Sequence, residues 1–372
     1  MEELIAMEAE IYYLKNETFK RNTASFKAPD DIIQICAREG YREILMGEFP
    51  GQKNKMFQRI WLLTSGIHHW KRIAKIAPGG SIIVFQHPSY GRRIALKYVK
   101  KMREKNGLHF IALIHDLESL RGGMAGVVSE NKKTNQMGDN DMLKQFDAVI
   151  CHNEHMRQYM IGQGFEPERL IKLDIFDYLS NVNRVQPEKG EKPSIAIAGN
   201  LAKVKAGYIP KIFEKGGNKD LVVNLYGTRY EPEKEIDNLK YHGAFPPEEL
   251  ASHLEGDFGL IWDGTEASTC AGNTGEYLKY NNPHKASMYL SAGMPVIVWK
   301  QAAIADFVLE NRLGIAVDDL YSLDEVISNI SKEEYQSYVE NAKKIADRLK
   351  KGYYTLSAIR KCCEVISASE EN

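Results

Sequence analysis

Short apolar runs punctuate the chain: Ile82–Phe85, Phe110–Ile114, Ala148–Cys151, Ile195–Ala198, Leu221–Leu225, Phe258–Trp262 and Val296–Trp299. Runs of four or five residues, apolar on both faces and rich in β-branched side chains, predict parallel strands buried on both sides. The segments between them carry helical periodicity. Gly91–Lys105 places Ile94, Tyr98 and Met102 on one face. Asp30–Arg38 follows Pro29, and Pro246–Leu254 opens with two prolines, which suit a first helical turn. Alternation of strand and helix predicts doubly wound α/β layers. The pattern breaks at Asn181–Pro193, a polar stretch with two prolines and no period, which reads as a linker. Several βα units lie on each side, so two Rossmann-like domains are expected, 1–180 and 194–350. Ser322 with Glu325, and Ser331 with Glu334, match capping boxes. A long amphipathic helix is expected over Lys332–Lys351 and another from Thr355 to about Ile366. Residues 351–372 form a terminal helix that is expected to pack back on the first domain.

Composition fits this picture without sharpening it. A hydrophobic content of 43% with 27% charged residues is that of a folded soluble chain, not a disordered one. No apolar run approaches the roughly 18 residues that span a bilayer. Met1–Glu10 has acidic residues and no basic stretch, so no secretory signal is expected there. The five cysteines (Cys36, Cys151, Cys270, Cys362 and Cys363) are odd in number and form no CxxC, which suits free thiols in a reducing cytoplasm.

Charge distribution changes the picture more. The net charge of -1 conceals a segment, Gly51–Lys105, with thirteen Lys/Arg against the single acid Glu104, a local +12. Such asymmetry points to an anionic partner on one side. Within Gly51–Ala77, Phe57, Ile60, Trp61, Ile67, Trp70 and Ile73 line up beside Arg59, Lys71 and Arg72. In Gly91–Lys105 the apolar face is Ile94, Tyr98, Val99 and Met102. Basic amphipathic helices bind anionic leaflets; the bland alternative is two core-packed helices with solvated outer faces. No nucleic-acid recognition motif occurs.

The segment richest in chemical signal is Tyr280–Trp299. Pro283 opens a helix, His284–Ser291 gives it two turns, Gly293 ends it and Pro295 opens a strand. A helix N-terminus presents unpaired N–H groups and partial positive charge, where a diphosphate binds. Lys285 in that first turn is misplaced in dipole terms, and an anionic ligand would resolve the conflict. The alternative is a solvated lysine on an ordinary helix. Other candidates end strands at the carboxyl edge, where open α/β sheets hold ligands. They are Gly199-Asn200 followed by Lys203, Tyr226-Gly227, Asp263-Gly264 and His115-Asp116. The loop Thr265–Lys279, with Gly272 and Gly275, is expected to be a mobile cover or a plain surface loop. Cys151-His152-Asn153-Glu154-His155 resembles a metal cluster only superficially. Its spacing matches no HExxH or CxxC pattern, and Asn153 reads as a helix cap, so no metal is expected. There is no GxxxxGK[ST], which disfavours a P-loop nucleotidase.

Two tandem α/β domains with terminal helices are the plan of the GT-B glycosyltransferases, and periplasmic binding proteins share a duplicated plan. Asn282-Pro283-His284-Lys285, followed by Tyr289-Leu-Ser-Ala-Gly-Met-Pro-Val-Ile, resembles bacterial galactofuranosyltransferases and the related glucosyltransferases that extend GlcNAc on serine-rich adhesins. Asn22-Thr-Ala-Ser-Phe-Lys-Ala-Pro29, Phe85-Gln-His-Pro88, Ile114-His-Asp-Leu-Glu-Ser-Leu-Arg121 and Gly259-Leu-Ile-Trp-Asp-Gly264 agree with it. The resemblance runs from about Ile11 onward, and Met1–Glu10 precedes it.

That resemblance implies a GT-B enzyme that takes a UDP-sugar, galactofuranose rather than glucose by preference, and inverts the anomeric centre. The acceptor is expected on the first domain and the donor on the second. Lys285 would contact the diphosphate, with Tyr280, Asn281, Asn282, Pro283 and His284 shaping the same loop. Lys203 would be a second phosphate cation, a departure from relatives that use Arg, because Lys cannot reproduce a bidentate contact. Tyr226 is expected as a platform for uracil or, alternatively, as a core tyrosine. Ser25, Gly199, Asn200, Gly227 and Asp263 complete the expected donor contacts. Inversion requires a base from the first domain: Asp116 is preferred, His115 next and His87 third, while Asp116 as a helix cap is the structural alternative. No DxD of the metal-dependent kind occurs, so no cofactor is expected and lysines must neutralise the diphosphate. The expected partners are a UDP-sugar, a glycan acceptor, lipid-linked in one version, and an anionic membrane surface, with no nucleic acid. Self-association into a homo-oligomer is left open. The expected location is cytoplasmic, peripheral on the inner face of the plasma membrane. The alternatives are a non-catalytic glycan- or partner-binding subunit and a UDP-sugar epimerase.

Overall fold

The computed structural model describes residues 9–16, 24–47, 54–88, 92–121, 137–181, 189–232 and 235–370. Two six-stranded parallel sheets organise them. The first holds β1 (Ile11–Asn16), β2 (Arg42–Met46), β3 (Ile82–His87), β4 (His109–Ile114), β5 (Ala148–Cys151) and β6 (Leu170–Lys172), in the order β2-β1-β3-β4-β5-β6. The second holds β7 (Ser194–Asn200), β8 (Val222–Thr228), β9 (Leu239–Tyr241), β10 (Phe258–Ile261), β11 (Val296–Trp299) and β12 (Gly314–Val317), in the order β12-β11-β10-β7-β8-β9. Chain direction across each sheet reverses once, between β1 and β3 and between β7 and β10. Ligand crevices of open α/β sheets form at such switch points, outside the carboxyl ends.

The helices of the first half are α1 (Ala24–Arg38), α2 (Lys55–Trp61), α3 (Ile67–Ile76), α4 (Arg92–Asn106), α5 (Glu118–Arg121) and α6 (Glu154–Gly162). Those of the second are α7 (Lys203–Ala206), α8 (Pro247–His253), α9 (Gly272–Tyr277), α10 (His284–Ser291), α11 (Ile304–Glu310), α12 (Leu323–Asn329), α13 (Lys332–Lys350) and α14 (Tyr353–Glu370). The expected linker lies outside the described residues over 182–188.

Alternation along the strands splits the first domain's core in two. Ile83, Phe85, Phe110, Ala112 and Ile114 face one cluster with Trp70, Ile73, Val99 and Met102. Ile82, Val84, Ile111 and Leu113 face the other, which runs without a break into the second domain. The period of two puts neighbouring residues on opposite faces, so each strand serves both clusters. Helix α14 closes the second cluster: it packs on α1, β4, β5 and β6 and contributes Ile359, Cys362 and Ile366. Asp177 fixes its start, its carboxylate accepting the N–H groups of Tyr354 (3.3 Å) and Thr355 (2.7 Å). Lys27 and Asp31 of α1 hold the crossing chain from the other side, through the O and N–H of Leu179 at 2.7 and 3.0 Å.

Several local expectations are corrected. Helix α1 starts at Ala24 and carries Pro29 inside, rather than starting after it. A proline removes one intrahelical donor, and the Gln86 amide meets the Pro29 carbonyl at 3.3 Å. Ser331 caps α13 through the N–H of Glu334, but Ser322 makes no side-chain cap. Asn218, distant in sequence, accepts the Asp324 N–H instead. Part of the basic segment follows the core-packed reading. Helices α3 and α4 are core-packed through Trp70 and Ile73, and through Ala95, Val99 and Met102. Helix α2 buries nothing, and Met56 (72% exposed), Phe57, Ile60 and Leu63 form a bare ridge.

Candidate active site

On the second domain the carboxyl ends of β7 and β8 come together at two glycines. Gly227 has φ +148°, and a Cβ there would lie 1.8 Å from the Gly199 carbonyl, so only glycine fits. Asn200 then turns the chain, its side chain accepting the Ala202 N–H, and α7 begins at Lys203. Beyond β10, Asp263 is 7% exposed and accepts from Lys285 at 2.6 Å, while Lys205 lies 3.4 Å from its other oxygen. Lys285 also donates to the Trp262 carbonyl at 2.8 Å. One buried carboxylate therefore carries two ammonium groups, leaving surplus positive charge at the N-terminus of α10. The misplaced charge of Lys285 thus has a counter-charge within the chain, in Asp263. Lys205, which sequence reasoning passed over, is the α7 lysine that joins this cluster; Lys203 is exposed on the same helix.

The two halves are clasped through the loop before α10. Asn282 is 3% exposed and donates to the carbonyls of His152 (2.7 Å) and Asp174 (2.9 Å). Its side-chain oxygen accepts from Asn153 at 2.7 Å, and its N–H donates to His152 Nδ1 at 2.9 Å. Asn153 also caps α6 and donates to the Tyr280 carbonyl. His152 Nε2 meets the Ile114 carbonyl at 3.0 Å, which can only accept, so the ring is neutral with its proton on Nε2. Burial lowers its pKa to about 4. Asn282 is thereby committed to joining the domains, not to a ligand. Within Cys151–His155, His152 and Asn153 form this clasp, and among the described residues no group of three or more His, Cys, Asp or Glu could hold a metal.

Pro283 caps α10 with extended geometry, and His284 follows it. The His284 ring packs against Phe176 and Tyr178 and bonds the Asp177 backbone; burial lowers its pKa to about 3. His284 Nε2 and Asn281 Oδ1 are buried acceptors without a protein partner. Tyr226 is corrected: it is 1% exposed, stacks on His242 at 4.7 Å and accepts the Glu255 N–H, so it is a core side chain and offers no platform. The expected cover Thr265–Lys279 is also corrected. Ala267, Cys270, Tyr277 and Leu278 are buried, and α9 packs against α5 and α7.

Opposite this cluster lie the ends of β3 and β4. His115 N–H donates to the His87 carbonyl at 2.7 Å, placing the two on neighbouring strand ends. The His115 ring stacks on Phe176, and its Nε2 bonds Gln86 at 2.6 Å; burial and the nearby His152, His284 and His87 lower its pKa to about 3. Asp116 is paired with Arg121 at 2.7 Å. Burial raises its pKa, against Arg121, a hydrogen bond from Tyr277 and the charge of Lys205. Tyr277 also accepts the Leu117 N–H at 3.0 Å, so this tyrosine of α9 ties the two domains beside Asp116. His87 is fully buried and bonds Asp139, a residue no sequence pattern singled out. Ser25 sits in the first turn of α1, and its side chain lies outside the described residues.

The sequence matches the glucosyltransferase 3-like N-terminal domain over residues 11–175 and the glucosyltransferase 3-like C-terminal domain over residues 195–362. The beta-1,6-galactofuranosyltransferase WbbI of Escherichia coli (strain K12) is 31% identical, over 92% of this chain and 96% of its own. Glucosyltransferase 3 of Streptococcus gordonii is 27% identical, over 88% of this chain and 90% of its own. Among solved structures, Anabaena HepE in complex with UDP and glucose aligns with a TM-score of 0.58 at 12% identity, covering 97% of this chain and 100% of that one. WaaG, a glycosyltransferase involved in lipopolysaccharide biosynthesis, aligns with a TM-score of 0.56 at 12% identity, covering 94% and 98%. At such identities the likeness concerns the fold, which is GT-B.

Proposed function

The chain belongs to the glucosyltransferase 3-like family and is a glycosyltransferase of the GT-B fold; from that premise we propose that it moves galactofuranose, or alternatively glucose, from a UDP-sugar to a hydroxyl of a glycan acceptor with inversion at the anomeric carbon. The observation that carries the donor half is the Lys285–Asp263–Lys205 cluster at the N-terminus of α10. Its surplus positive charge and the free N–H groups of the helix suit a leaving diphosphate. Lysines take the neutralising role, so transfer is expected to persist in EDTA. Galactofuranose is favoured by the likeness to WbbI.

The acceptor half faces the strand ends that carry His87, His115 and Asp116, one of which supplies the base. The bare apolar ridge of α2, set among Lys55, Arg59, Lys71 and Arg72, suits contact with an anionic membrane that presents a lipid-linked glycan. No helix among the described residues is long and apolar enough to cross a membrane. A mass-spectrometric screen of UDP-sugars against short glycan acceptors tests the reading. A new glycoside formed from UDP-galactofuranose or UDP-glucose is expected; release of a rearranged UDP-sugar without acceptor would make the protein an epimerase.

A further inference from the structure

Strand β3 ends on His87, at the switch point of the first sheet. The ring is wholly buried, and its Nε2 lies 2.9 Å from Asp139 Oδ1. The other oxygen of Asp139 accepts the Ser119 N–H at 2.5 Å, which fixes the carboxylate. An ionised carboxylate only accepts, so the shared proton belongs to Nε2, and in the neutral ring Nδ1 is a bare lone pair. Nδ1 is buried and has no partner among the described residues. An unmet buried acceptor is costly, and native structures seldom leave one without a use. The His87 carbonyl accepts the His115 N–H at 2.7 Å, so His87 stands beside His115 at the neighbouring strand ends.

The three candidate bases differ in what waits behind them. His115 is oriented by the neutral amide of Gln86, which offers no counter-charge to an imidazolium. Asp116 already has its charge engaged by Arg121 and Tyr277. His87 is oriented by a carboxylate that both fixes the tautomer and stabilises the protonated ring, the two services an aspartate renders to a catalytic histidine.

We propose that His87 is the general base of the transfer and that Asp139 is its positioning residue. The proposal rests on the glycosyl-transfer reading above. The acceptor hydroxyl gives its proton to Nδ1 as its oxygen forms a bond to the anomeric carbon. The bond from that carbon to the diphosphate oxygen breaks, and the leaving diphosphate keeps the electron pair. One positive charge then sits on the ring beside Asp139, and the added negative charge sits on UDP beside Lys285 and Lys205. Because the ring is buried, the acceptor must displace what covers Nδ1, so seating the acceptor and exposing the base are one event.

The test uses the full chain with UDP-galactofuranose and UDP-glucose as donors, pooled octyl hexopyranosides as acceptors, and calorimetry with UDP. His87→Gln should lower kcat by about 10²- to 10⁴-fold while the Kd for UDP stays within about twofold. Asp139→Asn should lower kcat by a similar order and move the acid limb of the kcat/KM profile to lower pH, because the imidazolium loses its counter-charge. Asp139→Glu should restore part of the rate, which a purely structural loss would not allow. In wild-type protein labelled with ¹⁵N-histidine, His87 should be the Nε2–H tautomer at neutral pH. Transfer retained by His87→Gln, an unmoved acid limb in Asp139→Asn, or an Nδ1–H tautomer overturns the dyad while leaving the glycosyltransferase reading standing. Wild-type protein that binds no UDP and transfers no sugar overturns both.

Discussion

Asp263 is the residue on which the donor side turns. It is buried, and its two oxygens face Lys285 and Lys205. Truncating Lys285 leaves that carboxylate with the more distant lysine alone and strips the α10 N-terminus of its cation. Lys285→Ala is therefore expected to weaken UDP binding on the order of 10- to 100-fold, the worth of one charge-assisted contact, in calorimetry. Unchanged affinity would remove the diphosphate from this helix end. Lys285 stood out in the sequence as a candidate because a cation in a first helical turn breaks a local rule. Lys205 and Asp139 did not, because nothing in their neighbours along the chain distinguishes them from solvated residues. Tyr226 was misread for the complementary reason: tyrosine serves cores and ligand sites equally, and only packing against His242 decided it.

At the scale of elements, the strands were the most legible. Ala148–Cys151 and Val296–Trp299 have the bounds their apolar runs predict. Burial on both faces writes an unbroken apolar run, which needs no partner to be recognised. Short edge strands such as β6 and β9 carry no such run, and their pairing is set by the sheet beside them. Helix α2 has no buried residue. The exposed Met56, Phe57 and Ile60 on it, with Leu63 just beyond its end, lie in a basic stretch of the sequence, so its attachment to anionic vesicles should combine apolar insertion with screened attraction. Cosedimentation with phosphatidylglycerol vesicles should be strong at low salt, weaker at high salt and reduced several-fold by Ile60→Asp. Equal partition onto neutral phosphatidylcholine vesicles would discard the electrostatic part. The same substitution in buried Ile73 would instead unfold α3.

In the whole molecule, buried polar groups join the two domains, Asn282 foremost among them. Asn282 makes four hydrogen bonds to His152, Asn153 and Asp174. Asn282→Ala should lower stability by about 2–4 kcal/mol in urea titration, since it leaves several buried partners unmet. A loss within experimental error would mean that the domains are held by apolar contact alone. His152 adds a pH dependence to the clasp. Its folded pKa of about 4 lies below the ordinary value near 6.5, so the unfolded chain binds the extra proton. The stability this neutral ring allows is present above pH 6.5 and drains as pH falls toward 4, at up to about 1.4 kcal/mol per pH unit. His115 and His284, both lowered to about 3, act in the same sense. Asp177 and Asp31, raised by burial to about 7 and about 6, act in the opposite sense over pH 4 to 7. Replacing His152 by Gln should therefore flatten the acid limb of the stability curve between pH 6.5 and 4. An unaltered slope would place the proton on another group.

The amino-acid sequence by itself determined the layers, the duplication of the α/β plan and the family to which they belong, and it singled out Lys285 as the candidate for the proposed diphosphate contact. Each of these is written in local order: two-sided apolar runs, helix-start chemistry and a contiguous loop from Tyr280 to Lys285. What it did not determine was which of those loop residues face a ligand. Asn282 reads like its neighbours but is spent on His152 and Asn153, about 130 positions away. It also left open which strand-end group is the base, because the carboxylate behind His87 comes from a turn 52 residues downstream. Such pairings join groups that are distant along the chain. Only tertiary folding, within the first domain for His87 and Asp139 and between the domains for Asn282, brings them within hydrogen-bond reach.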